Sequence, residues 1–283
     1  MQIPCLRLVD PGFPPMSAQP PLMLSIAGAD PSSGAGLQAD LLTGAALGVH
    51  VCTALSAWTI QDSRGVVRVT ALSAEDLATQ LQVLVADFSF DAIKIGLLGS
   101  ADNGRVVARF LDAHPDLPVV LDPILRAGGG QVLSDADLAR VLVEELFPRA
   151  TVATPNAPEA RWLGGCDDLD RAARQLLASG LPHLLVSGGH GRDPQRLRNR
   201  HYRADGTLTY LDQIRRPGEY HGTGCTLASA IAAGLAGGHN PEDAVTAALE
   251  FTATAVAGAY RIGAGQAIPD RCAARRPLME VRR

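Results

Sequence analysis

Short apolar runs alternate with helix-length amphipathic stretches from residue 22 to residue 270, and that alternation leaves few folds open. An apolar run with no polar face has to be covered on both sides. That requirement points to a mostly parallel sheet with helices packed against it. The runs Leu22–Ala27, Val49–Ala57, Asp91–Ile95, Val119–Leu121, Thr151–Ala153 and His183–Val186 read as buried strands. Helices are predicted over Leu37–Leu47, Ala74–Phe88, Asn103–Ala113, Asp135–Leu146 and Asp168–Ala178, and two long Ala-rich ones, Cys225–Ala236 and Pro241–Tyr260, close the pattern. Ser73 and Ser134 stand where N-caps belong, with Asp76 and Asp137 three residues on, as in a capping box with Asp in place of Glu. Residues 201–212 alternate about Asp205-Gly206, which predicts a hairpin and hence an antiparallel edge. No repeat, linker or compositional break interrupts residues 22–270, so one α/β domain is expected.

Composition excludes several classes. With 283 residues, 47% hydrophobic and 19% charged, the chain can bury a full core and is not of disordered type. A net charge of −4 gives no general pull toward nucleic acid, and no apolar stretch approaches the ~20 residues of a membrane span. The charge is uneven in kind: Lys94 is the only lysine among the 25 basic residues. Five cysteines, Cys5, Cys52, Cys166, Cys225 and Cys272, include no close pair, so neither a disulfide framework nor a zinc ribbon is suggested and a reduced cytoplasm is expected. Residues 1–21 carry six prolines, lack a secretory pattern and read as disordered or draped on the surface, with Met16 an alternative start. Residues 271–283 hold Arg271, Arg275, Arg276, Arg282 and Arg283 and read as a solvated basic tail, a nucleic-acid arm being the weaker alternative.

Two glycine-rich segments carry the chemical signal. Gly28-Ala29-Asp30-Pro31-Ser32-Ser33-Gly34-Ala35-Gly36 joins a predicted strand to a predicted helix, at the sheet edge where ligands of open α/β folds sit. It lacks the third small residue of a dinucleotide fingerprint and the Lys-Ser/Thr of a P-loop. A loop of small residues that lets backbone approach a flat ligand is the reading favoured over a plain tight turn. His221-Gly222-Thr223-Gly224-Cys225-Thr226 leads into the first Ala-rich helix, where unpaired N–H groups and the helix dipole make an anion hole suited to a phosphoryl group. Cys225, in the first turn, is expected to have its thiol pKa lowered below ~8.5 and so to serve as a proton acceptor. A small cysteine packed under the helix fits the composition equally well.

Asp122, in Leu121-Asp122-Pro123, and Glu159, in Thr154-Pro155-Asn156-Ala157-Pro158-Glu159, both follow predicted strands. Carboxylates grouped at that edge can hold Mg²⁺ against nucleotide phosphates. Taken singly, each has a plainer reading, a turn cap before proline and a charge at a helix start.

In this order the motifs resemble the hydroxymethylpyrimidine/phosphomethylpyrimidine kinases of the ribokinase-like superfamily, over about residues 24–270. The most specific pieces are Ile26-Ala27-Gly28-Ala29-Asp30-Pro31, Gly34-Ala35-Gly36-Leu37-Gln38-Ala39-Asp40-Leu41, Lys94-Ile95-Gly96, Thr154-Pro155-Asn156 and Gly222-Thr223-Gly224-Cys225-Thr226. The resemblance implies a three-layer α/β/α sandwich and transfer of the ATP γ-phosphoryl to a hydroxymethyl oxygen, with Mg²⁺, in a protein often dimeric. It implies that Gln61 reads the aminopyrimidine edge, that Gly28, Ala35 and Asp40 belong to the ring pocket, and that Leu97 and Ile124 line it. It makes Cys225 the catalytic base, Gly222, Thr223 and Gly224 the anion hole, Asp122 and Glu159 the acidic residues near the metal, and Asn156, Ser187 and Gly189 part of the nucleotide side.

The chain departs from the family pattern in three places. Ser187 stands before Gly188-Gly189-His190 where a lysine is usual, Ala127-Gly128-Gly129-Gly130 lacks a polar side chain and a hydroxyl, and Trp58 and Thr59 are less usual in their strand. An arginine of the 192–203 stretch, Arg192, Arg196, Arg198, Arg200 or Arg203, is expected to supply the missing cation, although a solvated basic loop is the plainer reading of any one of them. Rival functions are a pyridoxal or pyridoxine kinase of the same superfamily and a pyrimidine-binding protein with weakened catalysis. Intact Gln61 and the 28–40 segment favour the aminopyrimidine.

Overall fold

Strand burial, alternating residue by residue, builds two cores on either side of one sheet. The computed structural model describes residues 19–125, 135–191 and 193–273. In chain order its elements are β1 (Leu22–Ala29), α1 (Gly36–Leu47), β2 (His50–Asp62), β3 (Gly65–Ala71), α2 (Ala74–Asp87), β4 (Ala92–Ile95), α3 (Ala101–Asp112), β5 (Val119–Leu121) and α4 (Ala136–Val141). There follow β6 (Val152–Ala153), α5 (Ala157–Leu163), α6 (Leu169–Leu177), β7 (His183–Val186), β8 (Arg196–Arg203), β9 (Leu208–Ile214), α7 (Thr223–Ala236) and α8 (Pro241–Ala257). The strands form a single nine-stranded sheet in the order β3-β2-β1-β4-β5-β6-β7-β8-β9. Pairs from β2 through β7 are parallel, whereas β3, β8 and β9 pair antiparallel.

Leu24, Ile26, Ile93, Ile95, Val119 and Leu121 face a core completed by α2 to α6. Their neighbours Met23, Ala92 and Val120 face the opposite core, under α7 and α8. This two-residue period within apolar strands is what helices on both faces demand, and the three-layer α/β/α expectation holds. The chain leaves β1 toward β2 and β3, then returns to the far side of β1 at β4. That reversal makes the β1/β4 junction the topological switch point, outside whose carboxyl ends open α/β sheets bind ligands.

The structure adds detail where sequence patterning is weak. β3 escapes the pattern because it has no buried face; its residues are half-buried or exposed. The predicted hairpin is present but longer, running from Arg196 to Ile214. The helix predicted to reach Leu146 is α-helical only to Val141, then widens into a π turn over Leu142–Leu146 and ends in a 3₁₀ turn at Phe147–Arg149, whose Pro148 cannot donate to a helix. Ser73 caps α2 as predicted, accepting the Asp76 N–H at 3.0 Å. Ser134 lies outside the described residues, and the cap of α4 is Asp135, which accepts from the Leu138 N–H at 2.8 Å. The proline-rich expectation for residues 1–21 falls outside the described residues up to residue 18.

Asn103 fastens the ligand edge from below. Fully buried in α3, its amide nitrogen donates to the carbonyls of Leu98 at 2.9 Å, Ser56 at 3.0 Å and Leu72 at 3.3 Å. Truncation strands these acceptors without water, so Asn103→Ala is expected to cost about 3 kcal/mol. Urea unfolding should show a lowered midpoint at unchanged slope; an unshifted midpoint would contradict the role.

Candidate active site

Asp30 shapes the loop after β1. Its carboxylate accepts from the Ser32 N–H and hydroxyl at 2.8 and 2.7 Å and from the Ala35 N–H at 2.8 Å, a local turn in which a short acidic side chain replaces backbone partners. Gln38 Oε1 accepts the Asp30 N–H at 2.9 Å, tying the turn to α1. A further donor comes from far along the chain: His221 Nε2 lies 2.8 Å from Asp30 Oδ2. Burial pushes the Asp30 carboxyl up, but the bonds from His221, Ser32 and Ala35 together hold it below the usual carboxylate range. The two glycine-rich segments that read as separate signals in sequence are therefore one seam in space.

Across that seam starts α7. Its N-cap, Gly222, has a left-handed φ of +82° and no side chain caps the helix. A Cβ at Gly222 would overlap the Gly34 carbonyl, so both the conformation and the space require glycine. The first intrahelical donor is Thr226 N–H, 2.9 Å from the Gly222 carbonyl. The N–H groups of Thr223, Gly224 and Cys225 precede it and have no helical acceptor. Gly224 is exposed, so this amide cluster opens outward, as the anion-hole expectation requires.

Lys94 lies under the helix start, fully buried in β4 with its ammonium 2.8 Å from Asp40 Oδ2. Ser25 Oγ donates to the same oxygen at 2.6 Å and Ser229 Oγ to the other at 2.6 Å. Asp40 is fully buried and both oxygens are engaged, so it sits beneath the site and does not line a ring pocket as expected. Burial opposes the Lys94 charge, but Asp40, then Cys225 and Asp122, more than offset it and raise its pKa.

Cys225 corrects the expectation of an acidic thiol. Buried beside Asp122 and Asp40, it is pushed up to about 12, burial being the largest cause and Lys94 only a partial counterweight. Asp122 and Asp40 raise the thiol further, and the Gly36 N–H lowers it. Dipole and lysine favour the thiolate, but the loss of water dominates. Asp122 itself is pushed up to about 6, by burial first, with Lys94 pulling down and Asp40 pushing up. It lies below the helix start, 3.8 Å from where a Cβ on Gly224 would stand.

Glu159 is pushed up to about 8 by burial and then by the charge of Asp122. Its two oxygens accept the Asn156 N–H at 2.9 Å and the Leu125 N–H at 3.3 Å, and Asn156 Oδ1 accepts the Glu159 N–H at 2.9 Å. This is a full capping box for α5. Asn156 Oδ1 and both Glu159 oxygens are thus engaged with backbone N–H groups in this state. Among the described residues no group of three or more His, Cys, Asp or Glu side chains is placed to hold a metal ion. The donor set fits a hard cation carried mainly by phosphates and water, with Asp122 and Glu159 as flanking charges.

The remaining predicted residues spread along the same edge in strand order. Gln61, on β2, donates through Nε2 to Thr59 Oγ1 at 2.8 Å, and Thr59 donates to the Ala29 carbonyl at 2.9 Å. The less usual Thr59 thereby links Gln61 to the glycine loop, while Trp58 is exposed beside Arg68, 5.4 Å from its ring. Leu97, after β4, comes within 3.0 Å of where a Cβ on Gly28 would stand, so the two close the switch point. Ala35 and Ile124 are half-buried beside the loop and after β5. Ser187 follows β7, bridged to Asn156, and Gly189 has open space where a side chain would be.

The arginine expectation is not met by the four described members of the stretch: Arg196 and Arg198 share Asp212 at 3.2 and 2.9 Å, Arg200 pairs with Asp170 at 2.9 Å and Arg203 with Glu242 at 2.9 Å, all along β8. Arg192 and the Ala127–Gly130 segment lie outside the described residues. Sequence reading missed Arg215, whose guanidinium binds the carbonyls of Gly188, Gly189, Gly191 and Asp193 and so shapes the loop after β7. It also placed Arg271 in a solvated tail, whereas Arg271 is 3% exposed and donates to the Gly34 carbonyl at 2.6 Å. Only a contact across 237 residues reveals it. Among the described residues no helix is long and apolar enough to cross a membrane.

Comparison with known proteins shows the family. The model of the phosphomethylpyrimidine kinase family matches residues 30–270. A hydroxymethylpyrimidine/phosphomethylpyrimidine kinase of Streptomyces coelicolor is 40% identical over 262 residues, 89% of this chain and 94% of its own. Among solved structures, a Staphylococcus aureus pyridoxal kinase in complex with AMP-PCP and pyridoxal superposes with a TM-score of 0.82 at 30% identity, covering 92% of this chain and 96% of that one. A phosphomethylpyrimidine kinase of Clostridium difficile gives a TM-score of 0.71 at 30% identity, covering 83% of this chain and 99% of that one.

Glu159 makes stability depend on pH in a defined direction. Between its ordinary 4.5 and about 8, the folded protein keeps a proton that the unfolded chain has released, so stability falls as pH rises through that window. Glu159→Gln retains the capping box without the charge. Urea midpoints of the ligand-free protein are expected to drop less between pH 5 and about 8 in the variant than in the wild type; parallel curves would show that Glu159 does not titrate there.

Proposed function

The chain belongs to the phosphomethylpyrimidine kinase family, and from that premise we propose that it transfers the γ-phosphoryl of ATP to the hydroxymethyl oxygen of 4-amino-5-hydroxymethyl-2-methylpyrimidine, and then phosphorylates the monophosphate, in thiamine diphosphate synthesis. The observation that carries this reading is the meeting of an uncapped, outward-open helix start with the loop that Gln61 reaches through Thr59. A ring docked at the β1/β4 switch point would turn its alcohol toward that helix.

The ring side is built for a flat, hydrogen-bonding ligand. Leu97 packs against Gly28 at the switch point, and the Gln61 amide can donate to and accept from an aminopyrimidine edge at once. On the phosphate side, the amides of Thr223, Gly224 and Cys225 offer fixed dipoles to the charge of the transferred phosphoryl. Asn156, Ser187 and Gly189 border the nucleotide. Mg²⁺ on the phosphates, held through water by Asp122 and Glu159, would neutralise phosphate charge and lower the cost of two neighbouring buried carboxylates.

The proton of the attacking alcohol has a definite destination. In the ligand-free protein the Cys225 thiol is protonated and buried beside Asp122, so the sulfur can accept that proton only as its own passes to the carboxylate. Asp122, pushed up to about 6, is largely ionised at neutral pH and able to receive it. A loose phosphoryl-transfer transition state asks little of the base until the new bond is well formed, which suits a poorly acidic thiol.

Backbone likeness to a pyridoxal kinase favours one rival, a ring alcohol of the pyridoxal type. Mass detection of mono- and diphosphate products, with Mg²⁺-ATP and each ring alcohol in turn, separates the readings. The hydroxymethylpyrimidine is expected to give at least its monophosphate, faster than pyridoxal gives product, and Cys225→Ala to lower kcat by about 10²-fold or more. Faster turnover of pyridoxal would shift the assignment, and tight ring binding without ATP consumption would favour a binding protein.

A further inference from the structure

Arg271 is a buried charge that the reaction scheme has not used. It terminates a strap, residues 260–273, that crosses from the ring side of the site to the phosphate side. The strap grips the β2–β3 turn through Ser63, whose Oγ accepts the Gly265 N–H at 3.0 Å and whose carbonyl accepts the Gln266 N–H at 2.8 Å. It then pairs with the segment before α7, where the Ala267 carbonyl accepts the His221 N–H at 2.9 Å and the Glu219 carbonyl accepts the Ala267 N–H at 2.9 Å. Asp270 N–H donates to the Ala255 carbonyl at 2.8 Å, which fixes the chain just before the arginine.

The guanidinium then spreads over both glycine segments. Its Nε donates to Thr226 Oγ1 at 2.9 Å, its Nη2 to the carbonyls of Gly34 at 2.6 Å and Gly222 at 3.5 Å, and its Nη1 to the Ser33 carbonyl at 3.5 Å. Thr226 Oγ1 passes its own hydrogen to the Gly222 carbonyl at 2.8 Å. With the Thr226 N–H at 2.9 Å, three donors converge on that one oxygen.

Convergence on the Gly222 carbonyl has a directional consequence. In a planar trans peptide the C=O and the following N–H point opposite ways. Holding the Gly222 oxygen inward therefore turns the Thr223 N–H outward, to the open end of α7. Gly222 has no side chain to restrain its left-handed conformation, so the restraint comes from these donors. Burying a guanidinium on neutral carbonyls is costly, and the planar fork of donors that Arg alone provides is what spans the seam.

We propose that Arg271 is a positioning residue for phosphoryl transfer, which locks the Gly222–Thr223 peptide against the Gly34 loop and keeps the α7 amides aimed at the transferred group, its own charge reinforcing theirs. This rests on the phosphoryl-transfer reading above. It also places a fixed cation under the helix start in a chain that lacks the lysine usual before Gly188-Gly189. The β8 arginines, paired with carboxylates, do not serve there.

The test compares wild type, Arg271→Ala and Arg271→Lys by kcat, by KM for the ring alcohol and for ATP, and by thermal unfolding. Arg271→Ala is expected to lose about 30-fold or more in kcat with KM for the ring alcohol within about 3-fold, Arg271→Lys to fall between, and added guanidinium to restore part of the lost rate. A folded Arg271→Ala with near wild-type kcat overturns the proposal. So does a loss of kcat that tracks lost stability and that guanidinium does not relieve. If Arg271→Ala does not fold, Thr226→Val removes the hydroxyl that links guanidinium to carbonyl, and kcat is expected to drop about 5-fold at unchanged KM; unchanged kcat overturns the proposal. Should the wild type phosphorylate neither ring alcohol, the functional reading fails by itself, and Arg271 is judged by titration with AMP-PCP. Affinity about 10-fold weaker in Arg271→Ala then supports the positioning role, and equal affinity refutes it.

Discussion

The buried pair of Lys94 and Asp40 is the interaction on which the site's geometry depends. Lys94 projects from β4, Asp40 from α1, and the two hydroxyls that complete the carboxylate's shell come from β1 and α7. Four elements, two on each side of the switch point and its covering helices, thus meet at one charge. An ion pair without water is seldom a source of stability, because desolvation offsets most of the Coulomb gain. Its effect here is on uniqueness. Sliding α7 by one turn would withdraw the Ser229 hydroxyl and leave Asp40 Oδ1 without its donor, at a cost of about 1.5–3 kcal/mol for a hydrogen bond to a charged group, which holds the helix start over Asp122.

The same cluster decides the protonation of everything above it. Lys94 faces three groups that could carry negative charge, Asp40, Asp122 and Cys225, and cannot satisfy all of them. Asp40 takes the direct contact. Asp122 and Cys225 are left with a more distant cation and little water, which raises both. A helix dipole alone would predict an acidic cysteine. Burial outweighs it because the dipole acts through a fraction of a charge, while desolvation acts on a whole one. Phosphate-side cations follow the same logic: the described arginines on β8 find carboxylates on the surface, whereas Lys94 and Arg271 are buried beneath the start of α7.

Much of this was legible in the sequence because it is local. Each parallel strand announces itself by a mostly apolar run, Ser73 caps its helix by chemistry within four residues, and both glycine segments lie where a strand or loop gives way to a helix. What was not legible depends on partners distant in the chain. β3 pairs with β2 without burying a face, so no apolar alternation marks it. Asp40 reads as a polar residue of a ligand loop until Lys94 is seen to claim it. Glu159 reads as a metal-side carboxylate or as a charge at a helix start and Asn156 as a nucleotide-side residue, and the structure joins the two in a capping box. Arg271 is the clearest case: in sequence it begins a run of arginines, and only the return of the chain across α7 shows that it differs from those that follow.

Continuity between the two halves of the site comes from the strap and not from the sheet. Gln61 sits at the end of an edge hairpin, whose tip has no strand beyond it to fix its place. The strap supplies that support at Ser63 and then runs on to His221, whose ring reaches Asp30, and to Arg271, whose guanidinium reaches Gly34. Ring recognition and phosphoryl binding are therefore tied to one another by a segment that touches both and lies outside the parallel core. In-line transfer tolerates little error between attacking oxygen and phosphorus, since effective molarity decays steeply with misalignment. A chain that must hold two substrates in register gains more from such a cross-brace than from further core packing, which would secure each half without fixing their separation.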